Sequence, residues 1–168
     1  MRATVHMELK GPAGRVVAER DCTNAVMRNG ARLIADLFAG RGTPISHMAV
    51  GTNDEPESDT FATESLENEA VGNGDALEGG TDAAIPPEAF LDAEFDDFER
   101  VVRLRVRGTL PAGAAVGTVR EAGLLSRSAA GDVLYNRVTF APMEKGSDHE
   151  LTMFWEVTFP YGDLQWLQ

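Results

Sequence analysis

Cysteine occurs once, at Cys22, so an internal disulfide is excluded and a cysteine-built zinc site would need several chains. No lysine or histidine flanks Cys22 to activate a thiolate, and it reads as a small buried apolar residue. Lysine is nearly missing as well: Lys10 and Lys145 stand against thirteen arginines. Long apolar runs are lacking, since nothing approaches the ~20 residues needed to span a bilayer. The opening stretch Met1 to Glu8 alternates and carries charge where a secretory leader would be continuously apolar. These absences predict a soluble intracellular chain with no membrane contact.

What is present is acid. Formal net charge is −12, which opposes free nucleic acid as a ligand because phosphate neutralisation needs a basic face. The excess is local: residues 53–99 hold sixteen Asp and Glu and no Lys or Arg, whereas the remainder holds eleven acids and fifteen bases. An acidic, lysine-poor composition suits a high-salt cytoplasm, where carboxylates keep a surface hydrated and salt screens their repulsion. The alternative source is a GC-rich genome. With 168 residues, 43% of them apolar, the chain is long enough for one domain over 1–168 with a buried core.

The pattern of residues predicts a mostly β fold, an antiparallel β-sandwich with one packed α-helix and a long acidic insertion. Val5, Met7 and Leu9 alternate with Thr4, His6 and Glu8; a turn at Gly11 to Gly14 and a strand from Arg15 to Arg20 complete an N-terminal hairpin. Thr23 or Asn24 then caps a helix whose apolar residues are Met27, Ala31, Ile34 and Leu37/Phe38, closed by Gly40. Gly30 inside it costs about 1 kcal/mol relative to alanine and lets the helix approach a sheet closely. Ile45 to Val50 is a short strand. The acidic segment reads as exposed, its insertion proper at 70–99, with a short helix near Thr63–Ala70 and an edge strand near Phe90–Phe98. Strands follow at Val102–Val106, Val116–Leu125, Val133–Phe140 and Leu151–Phe159, with Trp155 expected in the core. Residues 160–168 form an apolar tail in which Leu164, Trp166 and Leu167 are interface candidates.

Chemistry is thinly signalled. There is no Gly-x-Ser-x-Gly elbow, no His-Glu-x-x-His helix and no phosphate loop, since Gly40–Gly42 and Gly72–Gly74 lack the lysine such a loop uses. No catalytic residue and no cofactor is expected. The one cation the spacing suggests is calcium, at Asp54, Glu57 and Asp59 within the run 53–59, although the run lacks the EF-hand spacing and its glycine. Arg103, Arg105 and Arg107 share one strand face. Glu94, Asp96 and Glu99 just upstream make cross-strand pairing, within the chain or between subunits, the first reading.

Four stretches in order resemble a known family. They are Asn24 to Leu37; Ile45 to Thr52 followed by Thr63 to Glu69; Gly117 to Leu125; and Leu134 to Lys145 running into Leu151 to Val157. This order is similar to a small structural domain of tailed-virus tail, baseplate and fibre-attachment proteins, also found in contractile injection particles. The likeness covers most of residues 20–159, and fits 70–99 poorly. It implies a virion structural protein, made in the host cytoplasm and built into the tail. Its partners would be other copies of itself, as a trimer or hexamer, and neighbouring virion proteins. The acid and lysine bias adds a halophilic archaeal host. Two alternatives stay open: a carbohydrate- or cell-surface-binding module at a fibre tip, and a head decoration or head–tail joining protein.

Overall fold

The computed structural model describes residues 3–70 and 74–163. It is mostly β, with one α-helix and a curled antiparallel sheet. The strands are β1 (Ala3–Lys10), β2 (Val16–Val26), β3 (His47–Gly51), β4 (Asp82–Ala84), β5 (Glu94–Asp96), β6 (Val101–Leu110), β7 (Gly117–Ser128), β8 (Gly131–Leu134), β9 (Asn136–Lys145) and β10 (Glu150–Pro160); helix α1 is Arg28–Phe38. Hydrogen-bonded neighbours follow the order β4-β3-β7-β9-β2-β1-β10-β6-β5, with β8 also on β7. Only two residue pairs, Ala25–Arg137 and Val26–Asn136, join β2 to β9. At that narrow seam the sheet folds over, so that β2-β1-β10-β6-β5 faces β4-β3-β7-β9 in a sandwich-like arrangement.

The layers meet through the alternating residues. Val5, Met7, Leu9, Met153, Trp155 and Val106 pack from one side, and Met48, Val50, Val119, Leu124, Val138 and Met143 from the other. At Gly108 an added Cβ would lie 2.1 Å from the Met48 sulfur, so a side chain there would displace Met48 from its place in the core. Tight interdigitation of this kind gives protein interiors their crystal-like density.

Several sequence expectations change. The helix starts later than the Thr23/Asn24 cap: both residues continue β2, Met27 occupies the cap position without a side-chain hydrogen bond, and the Asn24 amide is buried with no hydrogen-bond partner among the described residues. Strand pairing with β1 holds those residues extended. The buried helix positions are Gly30 and Leu33, while Ala31 and Phe38 face solvent, because the helix contact is set where Gly30 meets the Tyr135 backbone. Residues 63–70 are not helical; their amides are used by Thr52 and Glu121 instead. The stretch 133–140 is two strands, interrupted at Tyr135, where the Asn136 side chain accepts the Leu124 amide at 2.8 Å. The segment 74–99 is not merely an exposed insertion. Leu77, Ile85 and Ala89 enter the core, and isolated apolar residues among acids give no periodicity by which to foresee it. The expected edge strand is present as the three residues of β5, on β6.

Candidate interaction surface

One layer leaves a face uncovered among the described residues. On β2, β1, β10 and β6 the outward residues fall in register across four strands. One row is Asp21, His6, Phe154, Arg107; its neighbours are Thr23, Thr4, Glu156, Arg105 and Glu19, Glu8, Thr152, Thr109. The Asp21–Arg107 row and the Thr23–Arg105 row beside it line a cleft of about 500 Å³, to which Leu91 also contributes. Phe154 is 39% exposed in the middle of a paired strand, where an aromatic ring is normally covered. Its ring centroid is 6.0 Å from that of His6.

The charges on this face are unequally satisfied. His6 Nδ1 is 2.7 Å from Asp21 Oδ1, and Nε2 is 3.3 Å from Glu8 Oε1. The Asp21 hydrogen bond outweighs partial burial and holds the imidazole above its ordinary pKa, the state in which both ring nitrogens donate. Arg103 pairs with Asp96, Glu99 and Glu156, and Arg105 with Glu94 and Glu156. The expected cross-strand pairing is therefore found within the chain for these two. Arg107 is exposed and has no ion pair among the described residues.

A cation fits poorly. Among the described residues, the ligand atoms of His6, Glu8 and Glu19 come within 4.8 Å of one another. However, Lys10 Nζ already lies 3.5 Å from Glu8 and the His6 pKa is raised, and both oppose a metal. Asp54, Glu57 and Asp59 are not brought together. Asp54 pairs with Arg120 at 3.0 Å, Glu57 pairs with Arg137 at 2.7 Å, and Asp59 is exposed. Leu164, Trp166 and Leu167 lie outside the described residues.

The opposite layer is covered from outside by the acidic strap 52–69, fastened by a buried cluster that sequence reasoning missed. Glu121 Oε2 accepts from Arg137 Nε at 2.6 Å, and Oε1 accepts from the Glu67 amide at 2.8 Å. Arg137 donates further to the Asn53 and Glu55 carbonyls and to Glu57. Burial pushes the Glu121 carboxyl above the usual carboxylate range, against the pull of Arg137 and of the Glu67 and Asn53 backbone amides. The available signal was an acid, Glu121, at the head of the apolar run 122–125, and an arginine, Arg137, just before Val138.

A second apolar region lies at the β5 edge. Phe95 is 75% exposed and Phe98 97%, and Tyr161 meets Phe95 edge-on at 6.2 Å. Compared with known proteins, the chain matches no protein family, no curated protein and no solved structure. No described helix is long and apolar enough to cross a membrane.

Proposed function

We propose that this chain is a virion structural protein of a tailed virus, a tail, baseplate or fibre-attachment component that works by stoichiometric assembly with copies of itself and with neighbouring virion proteins. The observation that carries assembly is the exposed aromatic surface: Phe154 in mid-sheet, and Phe95 and Phe98 at an edge strand. Apolar patches rimmed by polar residues mark protein contact sites, and aromatic residues and arginine are enriched in them. The tail assignment rests on the ordered sequence resemblance. The edge strand β5 adds a route to contact, because its acids Glu94 and Asp96 are neutralised by Arg105 and Arg103 and no longer guard it by charge.

The test has two parts. Light scattering of the purified protein in molar salt should give a discrete oligomer. Immunogold labelling of purified particles should then place the chain on the tail. A protein that stays monomeric and labels no particle overturns the reading.

A further inference from the structure

We infer that the outer face of β2, β1, β10 and β6 is a two-fold interface between two copies of this chain, its axis parallel to the strands and running between β1 and β10. The inference deepens the assembly reading above and rests on it.

The central row is polar at its ends and aromatic in its middle: Asp21, His6, Phe154, Arg107. Its ends lie roughly 15 Å apart, three inter-strand spacings of ~4.8 Å. They carry opposite charge at equal distance from the midline. An interface between identical copies must be complementary to itself, so a residue and its counterpart exchange places across the axis. Two sheet faces stacked on each other need an axis lying in the plane between them, which leaves two principal choices. An axis across the strands sets Arg107 on the partner's Arg107 and Asp21 on the partner's Asp21, and like charges repel. An axis along the strands sets Asp21 against the partner's Arg107 and His6 against the partner's Phe154. It also sets Thr4 against the partner's Glu156, and Thr23 against the partner's Arg105. No like charges meet in these rows.

The local chemistry fits that second arrangement. Arg107 has no ion pair of its own among the described residues, and the Asp21 side chain is 83% exposed with Oδ1 alone engaged. A protonated His6 over the face of an aromatic ring is a cation–π contact. The cleft beside Phe154 gives room for the partner's rings to interdigitate, as sheets stacked ~10 Å apart require. A partner of different sequence would not need opposite charges at matched offsets on one face.

The experiment is sedimentation and light scattering of the full chain and of R107E, D21R, R107E/D21R and F154D, with circular dichroism to confirm that each is folded. The substituted side chains are all on the surface. The wild type is expected to form dimers or an even-numbered assembly. R107E and D21R should each weaken the dimer about 100-fold by setting like charges together. The double variant should recover most of that loss, and F154D should not be rescued by either. If R107E, D21R and F154D leave the assembly unchanged, or if the wild type is a trimer, the inference is overturned while the assembly reading stands. A wild type monomeric under all conditions overturns the inference, and the assembly reading falls with it only if the particles also carry no label.

Discussion

Arg137 Nε lies 2.6 Å from Glu121 Oε2, with both side chains buried between the β7–β9 layer and the strap that covers it. Neither charge reaches water, so each depends on the other and on the strap's backbone. Removing one partner of such a pair costs about 3–5 kcal/mol, whereas replacing both by apolar groups is often much less harmful. R137M is expected to lose stability of that size in urea unfolding. E121M/R137M should be less destabilised than R137M alone. The strap should also become sensitive to limited proteolysis within residues 53–67 in R137M, because the Asn53 and Glu55 carbonyls lose their donor. Equal stability of R137M and wild type would remove the cluster from any account of the fold.

Gly30 sets two effects against each other. Alanine in a helix interior is favoured over glycine by about 1 kcal/mol. Here the added Cβ would lie 2.1 Å from the Tyr135 carbonyl oxygen, a backbone atom that also accepts the Met27 amide and so has little freedom to move. Overpacking of this kind costs about 1–3 kcal/mol or more. G30A should therefore destabilise the protein in thermal unfolding, and a raised Tm would show that the helix is free to shift.

Lys145 is fully buried, and its Nζ donates to the Pro111 and Ala114 carbonyls at 3.0 and 2.6 Å, fastening the turn between β6 and β7. Burial lowers its pKa against the pull of Glu150. K145M keeps the shape and removes the donor. The expected loss is about 1–3 kcal/mol, because the Ala114 carbonyl loses its donor while the Pro111 carbonyl keeps only the Ala114 amide. Faster amide exchange at Gly113 and Ala114 should accompany it.

Asp82 gives a pH dependence with a definite sign. Hydrogen bonding from Arg127 holds its carboxyl below the ordinary value, with burial opposing. A lowered folded-state pKa gives stability that is present above the unfolded pKa, near ~3.9, and is lost as pH falls through the folded value. The difference between wild type and D82N should be full at neutral pH and vanish in strong acid. Its size should be that of an exposed pair, about 0.2–1 kcal/mol. A difference that grows on acidification would contradict this.

The strands at the two ends of the chain were legible because each buries one face. Val5, Met7 and Leu9 on β1, and Leu151, Met153, Trp155 and Val157 on β10, point into the core in the period expected of half-buried strands. Gly30 as a point of close approach was legible too, since a glycine inside a helical pattern needs a packing reason. The phase of the helix was not: Met27 is buried as a cap residue, and Phe38, which fits the periodicity, is exposed. Leu77, Ile85 and Ala89 were hidden by their acidic surroundings. In the candidate interface, the arginine row was visible as alternation and the β1–β2 hairpin as a turn between strands, but the β1–β10 and β10–β6 pairings that set Phe154 between His6 and Arg107 are revealed by no local pattern.

By itself, then, the sequence determined the β class, one packed helix and the N-terminal hairpin, and it favoured pairing of the arginine row with the acids just before it. All of these depend on short-range periodicity or on residues close in the chain. Only the tertiary structure decided that Glu57 and Glu121 share Arg137, that Arg107 stands in line with Asp21, and that among the described residues this face is open and Arg107 has no ion pair. Those relations join residues tens of positions apart, and they follow from strand register and from the folding of one sheet over itself at the seam between β2 and β9.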